Sequence, residues 1–127
     1  MNLSVSNAST LPLYQQIYDQ IAAAIVRGEI AGGDVLPPIR TVAAELRISV
    51  ISVKRAWEEL ERDGFIITAV GRGTFAAQLT ESRRLELRRE LMLEKLSPGL
   101  AFCRMLGADA AELRQLLDDC MGEEKTI

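Results

Sequence analysis

The chain has 127 residues, 48% apolar and 26% charged, with a formal net charge of −3, two cysteines and no histidine. That is the size and composition of one globular domain with an appendage, not of a disordered or fibrous protein or of two large domains. Without histidine a catalytic triad or His-metal site is excluded, no enzyme activity, cofactor or metal is expected, and the acidic balance speaks against bulk attraction to a polyanion.

The longest apolar runs, Ile21–Val26 and Phe65–Val70, are far short of the ~20 residues of a membrane span. No secretory signal is legible in MNLSVSNASTLP, so a cytoplasmic protein with no membrane partner is expected. Cys103 and Cys120 then meet a reducing compartment and read as buried small hydrophobes.

In chain order, Leu13, Ile17, Ile21 and Ile25 recur every fourth position, which predicts an amphipathic helix stopped by Gly28. The Gly- and Pro-rich stretch EIAGGDVLPPI is a connector with a short extended piece at Asp34–Leu36. Pro38 suits the first turn of a second helix, which carries Val42, Ala43 and Leu46 on one face and ends near Arg47. Ser49 offers an N-cap to a third helix with a core stripe of Val53, Ala56, Trp57 and Leu60, stopped by Gly64. Two short helices around a tight turn make a helix-turn-helix.

FIITAV and TFAAQL, separated by Gly71, Arg72 and Gly73, predict a β-hairpin that serves as a wing. The fold class is therefore mainly α with a small β-wing: a winged helix-turn-helix over residues 1–79, followed by a helical tail over 80–127. In the tail, Leu85, Met92 and Leu96 lie on one helix face and Leu87 and Leu91 on another. Pro98 should kink or break this helix, and Gly107 should end its continuation. Asp109 and Glu112 have the spacing that opens a last helix, whose buried stripe would be Leu113, Leu116, Leu117 and Cys120. A two-sided apolar helix needs more cover than one small domain provides. A homodimer held by Leu85, Met92, Leu96, Leu113, Leu116 and Leu117 is expected.

The third helix turns Ile51, Lys54, Arg55 and Glu58 away from its core stripe. A major-groove helix needs donors for purine edges, positive charge for phosphates and apolar surface for thymine methyls, and this face supplies each. Spacing alone is equally compatible with a solvated helix face. Arg40, which opens the second helix, Ser49 and Ser52 on the third, and Arg72 at the wing tip add DNA-compatible groups on separate elements. Arg40 is also a candidate ion-pair partner for Glu45 or Asp34. Residues 1–79 hold seven Lys or Arg against eight Asp or Glu, so any DNA contact must come from a local basic face.

The segments PLYQQIYDQIAAAIVRGEI, LPPIRTVAAEL, ISVISVKRAWEELERDGFI and GRGTF, in that order from Leu11 to Phe75, resemble the GntR superfamily of bacterial regulators. The short helix-break-helix tail resembles its YtrA-like branch. The resemblance implies a homodimeric repressor acting on a palindromic double-stranded DNA operator, with Arg40 at the family's base-contacting arginine, Lys54 at a usual basic position, and Gly71 and Arg72 on a wing near the minor groove. Val50 departs from the arginine of other branches, so their preferred sequence is not carried over. No small-molecule effector pocket is legible in the tail. A winged helix that binds protein instead of DNA is the alternative, while an aminotransferase-like fragment lacks a second domain and a plausible cofactor-binding lysine. Interleaved Glu81, Glu86, Glu90 and Glu94 make Arg83, Arg84, Arg88 and Arg89 a solvated face. Trp57 reads as a packing residue.

Overall fold

The computed structural model describes residues 1–125, so positions 126 and 127 of the expected tail lie outside the described residues. The chain divides into two compact units, Met1–Glu86 and Leu87–Ile127. The first turn of the tail helix therefore belongs with the first unit.

In the first unit the fourfold repeat forms α1 (Leu13–Val26), which buries Ile17, Tyr18, Ile21, Ala22, Ile25 and Val26. The connector contributes β1 (Val35–Leu36), and α2 (Ile39–Leu46) and α3 (Val50–Arg62) follow. Pro38 sits at the N-cap of α2, one position before its first helical residue, and offers no side-chain cap. The stripe of α3 buries Val53, Ala56, Trp57 and Leu60. Each large apolar side chain taken from water here contributes about 1.5–3 kcal/mol. Phe65 closes the core, with the Tyr18 ring edge-on to it at 6.0 Å between centroids.

At the end of α3, Tyr18 donates to Asp63 Oδ2 at 2.5 Å, and Arg62 Nε donates to Asp63 Oδ1 at 3.1 Å. Partial burial pushes the Asp63 carboxyl up, but these two hydrogen bonds and the Arg62 charge outweigh it and hold the group below its ordinary range. The bond ties the start of the chain's core to the last turn of α3.

The wing strands β2 (Ile66–Ala69) and β3 (Gly73–Ala76) pair antiparallel from Ile66↔Ala76 to Ala69↔Gly73. β1 adds to the other side of β3 through Val35↔Phe75 and Leu36↔Thr74, so the sheet order is β1-β3-β2. The sequence marked an extended piece there but not its partner, because two residues carry too little periodicity to name one. Ahead of α1, the side-chain amides of Gln16 and Gln20 hold the backbone of Ser6 and Ser4, each by one donated and one accepted bond.

The tail helix α4 spans Glu81–Met105. Thr80 Oγ1 caps it by accepting from Arg83 N at 3.1 Å. Of the kink or break expected at Pro98, the break does not occur, since α4 runs through it. Proline removes one rung of the ladder, at about 3 kcal/mol, but Leu, Met, Glu, Lys and Ala on either side are good helix formers and carry the helix across. Gly107, at φ 90°, ends the turn after α4, and Asp109 Oδ1 accepts from Glu112 N at 2.9 Å to open α5 (Ala110–Lys125).

The expected buried stripe of α5 is corrected as well. Leu113 is half-buried, whereas Leu116, Leu117 and Cys120 are exposed, and Cys103 is only half-buried. An amphipathic period identifies the face that wants cover, but among the described residues nothing buries it. Among the described residues no helix is long and apolar enough to cross a membrane.

Candidate nucleic-acid interface

The turn between α2 and α3 is made by Arg47, at φ 57° and ψ 46°. This left-handed conformation costs a non-glycine residue roughly 1–2 kcal/mol. It lets Ile48 N reach back to Ala43 O at 3.0 Å and sends the chain straight into the next helix. Ser49 Oγ then accepts from Ile51 N at 3.0 Å and caps α3, which leaves the hydroxyl hydrogen free to donate outward.

Burying Val53, Ala56, Trp57 and Leu60 forces the opposite face of α3 into solvent. Ile51 on that face is 78% exposed. Val50 and Lys54 are exposed beside it, while Ser52 is half-buried. Lys54 Nζ lies 3.9 Å from Glu58 Oε1, a loose surface pair that competes little with a phosphate.

Arg55 is placed differently from its neighbours. Its guanidinium stacks over the Tyr14 ring at 3.7 Å, and its Nε donates to Glu59 Oε2 at 3.0 Å. The side chain is turned toward the start of α1 and partly neutralised there. The α3 positions expected to act together thus divide into a free group and a committed one.

Arg40 is exposed on the first turn of α2 and forms no ion pair among the described residues, so neither Glu45 nor Asp34 claims it. It lines one open groove with Ala43, Ala44, Arg47, Ile48 and Val50. Arg47 was not anticipated as part of this surface. The signal was available in its place on the helix-turn-helix turn, but a residue read only as a helix stop is not asked where its side chain goes.

At the wing, Arg72 N bonds Ala69 O at 2.9 Å, with Gly71 at φ 78° in the third turn position. That positive φ is what a type II turn requires of the residue there. Arg72 and Val70 stand exposed at the tip. Arg40 and Arg47 line the groove beside Val50, and Lys54 on α3 and Arg72 at the wing tip are further exposed cations.

The expected dimer residues are also solvent-facing. Leu85, Met92 and Leu96 are exposed on α4, and Leu116 and Leu117 on α5. Leu93, Phe102, Met105 and Leu106 join the exposed apolar set and were not anticipated. The expected break at Pro98 hid that Phe102 and Met105 continue the same helix.

Residues 13–76 match the family model described as bacterial regulatory proteins, gntR family. The chain is 26% identical to the HTH-type transcriptional repressor YtrA of Bacillus subtilis, over 97% of this chain and 95% of that protein. It is 35% identical to the HTH-type transcriptional regulator YhcF of the same organism, over 83% of this chain and 86% of that one. Among solved structures it is similar to YtrA from Sulfolobus acidocaldarius, a GntR-family transcription factor, with a TM-score of 0.56 at 30% identity over 73% of this chain and 95% of that one. With its helix-turn-helix, its wing and a family match over half of its length, the chain belongs to the gntR family of bacterial regulatory proteins.

Proposed function

We propose that this chain is a homodimeric transcriptional repressor that reads a palindromic operator, with α3 in the major groove and the wing near the minor groove. DNA-binding transcription regulation is what its family does. Repression is proposed because YtrA, the relative it matches along nearly its whole length, is a repressor.

The observation that carries the reading is a set of exposed side chains on the helix-turn-helix and the wing that have no use inside the fold. Ile51 stands in solvent on α3, and Arg40 and Arg72 have no internal partner among the described residues. An isoleucine there gains nothing for a monomer, but it can cover a thymine methyl, while Arg40 and Lys54 suit purine edges and phosphates. Ser49, Val50 and Ser52 flank that contact. Arg72 on its Gly-rich turn can follow phosphates or the minor groove, with little frame for base reading. Arg55, held by Tyr14 and Glu59, serves at the edge as a phosphate neighbour.

The tail supports the two-fold part of the reading through its exposed leucines. Such a regulator works where the chromosome is, in the cytoplasm. The deciding experiment selects duplexes from a random pool at about 0.15 M salt, where phosphate contacts are already weakened. Enrichment of a palindrome with half-sites about 10 base pairs apart is expected. No enrichment, or enrichment of an asymmetric single site, would overturn the proposal.

A further inference from the structure

Among the described residues four helices are followed within two residues by a left-handed one, and three of them use glycine for it. Gly28 after α1, Gly64 after α3 and Gly107 after α4 stand at φ 81°, 86° and 90°. Glycine reaches that region without the clash that a Cβ brings. α2 ends instead on Arg47, at φ 57° and ψ 46°, the one non-glycine residue at positive φ among the described residues.

The turn asks only for a left-handed backbone, which lets Ile48 N bond Ala43 O, and glycine would supply it with less strain. The arginine side chain offsets none of that strain inside the fold. It is exposed, and its guanidinium has no hydrogen bond or ion pair among the described residues. Strain kept at an exposed side chain without a partner points to function more than to folding.

Arg40 opens α2 and Arg47 closes it, and both line one open groove with Ala43, Ala44, Ile48 and Val50. Among the described residues none of those lining the groove is acidic. The two alanines let another backbone come close, and Val50 opens α3, so the groove runs on into the helix that carries Ile51 and Lys54. A cationic groove with small residues along it suits a sugar-phosphate strand.

We propose that Arg47 is a phosphate contact of the operator backbone, placed by the α2–α3 turn at a cost in stability that glycine would avoid. The inference rests on the DNA-binding reading proposed above, and not on the dimer or on the tail.

The test uses the full chain, the operator recovered by selection and an unrelated duplex of equal length. Affinity for both is followed across a salt series, and thermal melts are recorded without DNA. Arg47→Gly should weaken both duplexes about three- to tenfold per bound protomer near 0.15 M salt, keep their order, and lower the salt slope by about one per protomer. Its melting temperature should match wild type or exceed it by up to about 5 °C, since the strain relieved offsets the freedom glycine adds to the unfolded chain. Arg47→Ala loses the cation and keeps the strain, so it should bind like Arg47→Gly and melt below it. Arg47→Lys should keep the wild-type salt slope.

A wild-type salt slope in Arg47→Gly would overturn the proposal. So would a melting temperature several degrees below wild type, which would make Arg47 a helix-end charge that serves the fold. A changed order of preferred sequences would make it a base reader instead. Wild-type protein that binds neither duplex would remove the DNA-binding reading itself, whereas wild-type binding beside an unaffected Arg47→Gly would sink this proposal alone.

Discussion

The two compact units treat their apolar residues in opposite ways. Among the described residues every buried hydrophobic side chain except Leu87 lies in the first unit, between Ile17 and Ala77. The second unit holds a comparable wealth of leucine and methionine and leaves most of it in solvent, with Leu96 62% and Leu117 57% exposed. α1, α3 and α5 each carry one apolar stripe, while α4 carries apolar residues on two faces. The difference is that α1 and α3 face each other across a core that also takes in Phe65 and Ile66, whereas two helices joined by a short turn have fewer sides to offer one another. An apolar stripe marks a surface that wants burial, and burial inside one chain requires a third element to close the space.

The comparison is broken most directly in the core. Leu60→Ala, at a fully buried position, should lower stability by about 2–5 kcal/mol, from lost transfer energy and the cavity left behind. Urea melts would read it, and a loss below about 1 kcal/mol would show a core able to collapse around the gap.

In the second unit the same chemistry should move association instead. Leu96→Asp combined with Leu117→Asp should weaken dimerisation by about 100-fold or more, near 3 kcal/mol, in sedimentation experiments. The urea transition of the first unit should stay in place. A variant of unchanged mass would mean that these leucines are covered by something other than a second copy.

Ile51 sharpens the contrast, because it is an exposed apolar residue within the self-sufficient unit. Ile51→Ser should leave stability unchanged and relax discrimination at one symmetric pair of operator positions, by about 1–3 kcal/mol per mismatch. Equal discrimination by both proteins at every position would place this face of α3 away from the bases.

The smallest effect concerns the Tyr18–Asp63 bond that joins α1 to the end of α3. Tyr18→Phe should cost about 1 kcal/mol at neutral pH, less to the extent that solvent reaches the carboxylate. Asp63 is held below its ordinary range in the folded chain, so its contribution is complete above the unfolded value of about 3.9. It is lost as pH falls through the lower folded value. The gap between wild type and Tyr18→Phe should therefore close in acid, and a gap that widened there would reverse the sign assigned to Asp63.

Much of the first unit was legible because its elements repeat at short fixed periods. The fourfold spacing of Leu13, Ile17, Ile21 and Ile25, the cap at Ser49 and the Gly71–Gly73 turn are each local statements about a helix, its start and a hairpin. Exposure of Ile51 and Lys54 followed from the same logic, as the side opposite a stripe that had to be buried. Of the two outcomes expected at Pro98, the break does not occur, because a local rule counts the lost rung and not the helix formers around it.

What the chain alone determined, then, is where helices and turns fall and which faces are apolar, since those depend on neighbours within a turn or two. Tertiary structure decided which distant groups meet. β1 joins β3 across the sheet, Arg55 stacks on Tyr14 rather than standing free, and Arg84 reaches the end of α1. Each of these joins residues far apart in sequence, and its energy depends on how helices pack, a quantity that no local period contains. The same holds for α5, whose stripe was visible in the sequence while the exposure of Leu116, Leu117 and Cys120 was decided by what the described residues leave uncovered.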